Sequence, residues 1–105
     1  MDVEGEPSFL AELLKAFKEE APGLVEGIRT AAQTNDAHKL RQSAHSLKGG
    51  SGNLGAVRLA DLCAELEKMG RNGALEGAAP LAAQVELEYQ RALQALETEI
   101  NRNAG

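Results

Sequence analysis

At 105 residues, with one cysteine and a net charge of −5, the chain has room for one domain with a single core and not for a catalytic domain beside a regulatory one. Hydrophobic residues at 43% and charged residues at 26% describe a chain that folds, not one that stays disordered. No cluster of lysine and arginine interleaved with stacking rings is present, which argues against nucleic acid as a partner. No run of about 18 apolar residues and no basic, apolar leader marks a membrane span or a secretion signal.

Alanine, leucine, glutamate, glutamine and lysine dominate while aromatics are only 3%, so intrinsic preference points to an all-α fold. Met1 to Glu6 are acidic, lack periodicity and read as a loose end. From Ser8, an N-cap residue type, Leu10, Leu13, Leu14 and Phe17 recur at helical spacing, and the stripe continues through Leu24, Ile28 and Ala31. Pro22 removes an N–H and disfavours helical geometry at Ala21, which predicts a kinked or split first helix, with the split between Glu20 and Gly23.

Thr34, Asn35 and Asp36 end one helix and start another, with Asp36 or Asn35 as N-cap. Gly55 closes that second helix. A third carries Leu59, Leu62, Cys63, Leu66 and Met69 on one stripe and ends between Gly70 and Gly73. The last places Leu81, Val85, Tyr89, Ala92, Leu96 and Ile100 on one face, with Pro80 either opening or kinking it.

Four amphipathic segments with short connections are satisfied by an antiparallel up-down-up-down four-helix bundle over residues 7–102, flanked by loose ends at 1–6 and 103–105. Cys63 falls on the core stripe, and a buried, inert thiol in a reducing, cytoplasmic setting is expected. The acidic start and polar end favour a module of a larger protein.

On the second helix, Leu40, Ala44, Leu47, Ser51 and Leu54 form the core stripe, and His45 lies roughly 140° from its centre at 100° per residue. His45 therefore points to solvent, together with Arg41, Gln42, Gly49 and Gly52, with Lys48 flanking them. Gly49, Gly50 and Gly52 each cost a helix about 1 kcal/mol relative to alanine, so their missing side chains must serve close approach. Gly50 is placed to admit a neighbouring helix, whereas Gly49 and Gly52 face outward and leave a bare strip beside the imidazole, onto which another protein could settle.

Imidazole is the side chain that loses its proton near neutral pH, so a neutral ring offers a nucleophilic lone pair without a dedicated base. Lys48, three residues on, is within reach of an anion attached to that ring, which suits a phosphoryl group. His38 has neither a glycine strip nor a lysine beside it and reads as a surface residue.

Ala44-His45-Ser46-Leu47-Lys48-Gly49, followed by Asn53-Leu54-Gly55-Ala56 and by Leu59, Leu62, Cys63, Leu66 and Glu67, resembles the histidine-containing phosphotransfer (HPt) domain of bacterial and fungal phosphorelays. The resemblance implies a four-helix bundle whose exposed His45 accepts a phosphoryl group from a receiver-domain aspartate and passes it to another receiver. It implies Lys48 as charge partner, Gly49 as the residue that keeps the approach clear, and Arg71 as a basic position near the phosphohistidine. The alternative for Arg71 is a simple helix C-terminal cation.

Glu67 stands where certain relatives carry a ring-orienting amide, and an exposed helix charge is the expectation for it. The implied partners are response-regulator receivers and a covalently linked hybrid sensor kinase, with the chain as a cytoplasmic monomer that touches neither nucleic acid nor membrane. No phosphate-binding GxxxxGK[ST] loop or cluster of metal ligands is visible, so no cofactor, no metal and no kinase activity of its own are expected. Two other readings are a docking bundle without chemistry and the phosphoacceptor domain of a chemotaxis-type histidine kinase.

Overall fold

Among the described residues four helices follow one another in the order α1 (Phe9–Thr34), α2 (Ala37–Asn53), α3 (Val57–Asn72) and α4 (Ala78–Ala104). The structure, a computed structural model, describes residues 8–104, with side chains described through Arg102. The loose end expected at 1–6 lies outside the described residues. At the other end α4 continues to Ala104, past the expected limit of the bundle at 102.

The capping chemistry sets the boundaries. The Ser8 side chain accepts from the Ala11 N–H at 3.0 Å, and that of Asp36 accepts from the Lys39 N–H at 3.0 Å, each supplying a partner to a donor that the first turn leaves free. Asn35 is not the second N-cap. It takes the left-handed conformation (φ 55°) and closes α1 by donating its N–H to the Ala31 carbonyl. Gly73 does the same for α3 at φ 68°, a conformation that residues with a Cβ rarely adopt.

The sequence expectation of a split at Pro22 is corrected: α1 runs unbroken from Phe9 to Thr34 with Pro22 inside it. Pro22 and Lys18, whose carbonyl loses its helical partner, are both exposed, so water can serve that carbonyl. On the opposite face Phe17, Ala21, Ile28 and Ala31 are buried on either side of the proline, and their packing keeps both halves in one helix. Pro80 opens α4: it is the third residue of the helix, where a missing N–H costs nothing.

With connections this short each helix must reverse direction, and α1 packs on α2 and α4 while α3 packs on the same two. The outcome is the expected antiparallel four-helix bundle, 50 × 18 × 18 Å in extent. Its core is Ile28, Leu40, Ala44, Leu47, Leu59, Cys63, Leu66 and Val85, all at or near zero exposure; each large aliphatic side chain among them contributes about 1.5–3 kcal/mol by leaving water. The stripe expected on α2 is buried throughout, and its polar member Ser51 donates its hydroxyl to the Leu47 carbonyl at 2.7 Å. Phe17 and Tyr89 join α1 to α4 in a tilted ring pair with centroids 5.6 Å apart. Among the described residues no helix is long and apolar enough to cross a membrane.

Candidate functional site

Because Ala44 and Leu47 face the core, His45 between them faces out, and its side chain is 68% exposed. Gly49 and Gly52 lie beyond it on the exposed surface of α2, and a Cβ at either would meet nothing within 4 Å. Gly50 turns the other way: a Cβ there would stand 3.1 Å from the Phe17 ring, so this glycine admits α1. The bare strip and the helix-admitting glycine are therefore separate features of one short segment.

Glu67 departs from the expectation of an exposed helix charge. Its side chain is only 7% exposed and forms the floor of the site, reaching from α3 to α2. Oε2 lies 2.9 Å from His45 Nδ1 and accepts from Arg71 Nη2 at 3.2 Å, while Oε1 is in ion-pair contact with Lys48 Nζ at 2.6 Å. A readable signal lay in the sequence: Glu67 follows Cys63 by four residues and precedes Gly70 by three, which puts a carboxylate within the buried stripe of α3. A buried carboxylate requires partners, and here all three are basic groups.

The basic residues divide accordingly. The Lys48 ammonium rests on Glu67 and does not stand free beside the ring. Arg71 is no mere terminal cation, since it shares the carboxylate oxygen that faces the imidazole. Arg41 and Gln42 are exposed, and with His38, His45 and Glu67 they line a depression of about 360 Å³ along the α2–α3 seam. At Gly70 the two helices come close, because a Cβ there would lie 2.7 Å from the Arg41 backbone nitrogen and 2.8 Å from the Ala37 carbonyl oxygen. His38 is on the surface, as expected, but it borders the same depression.

The Lys48 ammonium holds the Glu67 carboxyl below the usual carboxylate range; His45 acts in the same direction and burial opposes them. An ionised Glu67 can only accept at this contact, so Nδ1 of His45 is the donor, and in the neutral ring the lone pair is then on Nε2. Cys63, just beneath, is buried, and burial pushes its thiol up to about 12, so it supplies no thiolate at neutral pH. What the site offers is one oriented, accessible nitrogen nucleophile beside a smooth surface. Among the described residues no group of three or more metal-ligating side chains is assembled.

Comparison with known proteins agrees with this geometry. The family model described as "Hpt domain" matches residues 12–99. Histidine-containing phosphotransfer protein 2 of Arabidopsis thaliana is 31% identical over 90 residues, which are 83% of this chain and 58% of that protein. The chain thus spans somewhat over half the length of that relative. The crystal structure of histidine-containing phosphotransfer protein B from Pseudomonas aeruginosa PAO1 superposes with a TM-score of 0.79 at 40% identity, covering 87% of this chain and 79% of that one. With the family model matched across all four helices, the chain belongs to the Hpt domain family.

Proposed function

We propose that this Hpt domain is a phosphorelay intermediate in two-component signalling, with His45 as phosphoacceptor and response-regulator receiver domains as donor and acceptor. The observation that carries this reading is the 2.9 Å contact between His45 Nδ1 and the buried Glu67 carboxylate. It leaves Nε2 as the one nitrogen free to attack. In the forward step the Nε2 lone pair forms the N–P bond as the P–O bond to the receiver's aspartate breaks, releasing that carboxylate with both electrons of the broken bond. Nδ1 keeps its proton, so the ring becomes a phosphorylated imidazolium whose positive charge Glu67 balances.

Return transfer to a second receiver reverses these bond changes, and no base or acid is needed in either direction. Gly49 and Gly52 supply the clear surface on which a receiver seats its active site, flanked by Arg41 and Gln42. Lys48 and Arg71 keep Glu67 ionised and in place. The activated phosphoryl group comes from the partner, which is consistent with a cytoplasmic monomer that has no kinase activity of its own.

The test is transfer from a radiolabelled phospho-receiver. The chain should acquire an acid-labile, base-stable label that His45→Gln abolishes and His38→Gln does not. Label persisting on the His45 variant would overturn the assignment.

A further inference from the structure

We infer that Arg41 is the side chain that holds the phosphoryl group on His45, and that Lys48 and Arg71 serve Glu67 instead. This deepens the reading of His45 as phosphoacceptor and rests on it. Three basic side chains surround the imidazole. Lys48 Nζ is 2.6 Å from Glu67 Oε1 and Arg71 Nη2 is 3.2 Å from Oε2, so both charges are already engaged by a buried carboxylate that cannot lose them cheaply.

Arg41 forms no ion pair among the described residues, and it lines the same depression as His45. It stands four residues before His45, hence on the neighbouring turn of the same face. Helical side chains lean over the turn N-terminal to their own Cα, so the imidazole leans over the turn that carries Arg41. The Arg41 Cβ lies on the α2–α3 seam beside Gly70, where an added Cβ would come within 2.9 Å of it. A planar guanidinium offers paired N–H donors to two phosphoryl oxygens.

A phosphoryl group leaves through a loose, metaphosphate-like transition state in which negative charge drains from its oxygens. A cation on those oxygens therefore stabilises the bound phosphoryl group more than its departure, and removing it shortens the life of the adduct.

The experiment uses the isolated chain, phosphorylated with phosphoramidate, with the modified residue identified by fragmentation mass spectrometry and phosphoryl loss followed by ³¹P NMR. No partner is present, so a defect in docking cannot alter the decay. Arg41→Gln should shorten the half-life by about three- to tenfold, the scale of one charge-assisted hydrogen bond at an exposed site; Arg41→Lys should restore part of it, and about 1 M salt should shrink the difference. An unchanged half-life in Arg41→Gln overturns the proposal. So does slower transfer from a phospho-receiver with unchanged decay, which would make Arg41 a docking residue. Failure of the wild-type chain to carry phosphate on His45 overturns the underlying reading instead, and the two failures are told apart by that wild-type control.

Discussion

Glu67 Oε2 lies 2.9 Å from His45 Nδ1 across the seam between α2 and α3, joining a buried carboxylate to a ring that is two-thirds exposed. The contact gives a solvent-facing nucleophile a fixed orientation, which its own helix cannot provide: an exposed imidazole otherwise turns freely about two torsions. Because Lys48 and Arg71 meet the same carboxylate, the floor of the site is a small ionic network carried by two helices. Its integrity depends on the α2–α3 spacing that Gly70 permits.

Substitution at Glu67 should separate orientation from folding. Glu67→Ala removes the acceptor for Nδ1–H and the counter-charge for the phosphorylated ring, and is expected to slow phosphoryl acceptance by about 10–100-fold, the usual scale for an orienting partner. Glu67→Gln retains an acceptor oxygen and should fall between this variant and wild type. Single-turnover transfer from a phospho-receiver measures both, and equal rates for all three proteins would deny Glu67 its role.

The same carboxylate should appear in the acid limb of stability. Its pKa is depressed in the folded state, chiefly by Lys48, so its contribution is fully present above the ordinary glutamate value of about 4.3 and is lost as pH falls through the folded value. Urea midpoints measured from pH 7 down to pH 3 should decline for the wild type below about pH 4.3. The decline should be shallower for Glu67→Gln. Parallel curves would mean that the network contributes nothing to folding.

Much of this was legible in the sequence where local chemistry and periodicity agreed. Ser8 and Asp36 cap the helices they precede, and the stripe from Leu40 to Leu54 is buried throughout, so the outward direction of His45 followed from helical geometry alone. An exposed Glu67 is the expectation because a charged side chain is normally solvated; two of its three partners, Lys48 and His45, lie 19 and 22 residues away on another helix, and only tertiary packing brings them to it. The expectation at Pro22 fails for a related reason. A local rule forecasts a break, but the packing of Phe17, Ala21, Ile28 and Ala31 keeps the helix whole.

The outward glycines should trade stability against transfer. A Cβ at Gly49 would meet nothing within 4 Å, so Gly49→Ala should raise stability by about 1 kcal/mol through helix propensity alone. Gly49→Leu should also remain folded, yet it would stand in the strip on which a receiver must settle. Transfer should therefore slow as the side chain grows while the melting temperature does not fall. Unchanged transfer in Gly49→Leu would show that the strip is not the landing surface.

Gly50 and Gly70 should respond differently from each other. At Gly50 an added methyl meets the Phe17 ring at 3.1 Å, a side chain that can shift by a few tenths of an ångström, and the gain in helix propensity offsets part of that cost. At Gly70 it meets the Arg41 nitrogen and the Ala37 carbonyl at 2.7 and 2.8 Å, backbone atoms that move only if the whole helix moves. Gly70→Ala is expected to destabilise by about 1–3 kcal/mol, as overpacking does, and to weaken the Glu67 network with it. Thermal melts of the two alanine variants should rank Gly70→Ala clearly below Gly50→Ala.

Pro22 offers a test of α1 as one element. It lies inside the helix on the exposed face, where proline costs up to about 3 kcal/mol relative to alanine. Because the backbone there is already helical, Pro22→Ala needs no rearrangement: it restores the hydrogen bond to the Lys18 carbonyl and relieves the ring's crowding of that same group. The variant should gain stability, by less than the full propensity difference because alanine also leaves the unfolded chain more freedom than proline does. Transfer through His45 should be unaffected, since Phe17 and Gly27 are the α1 residues seen against α2, at Gly50 and Ser43, and Pro22 is exposed. A loss of stability, read from urea midpoints, would mean that α1 needs the bend of a proline at this point and that its two halves behave as separate helices.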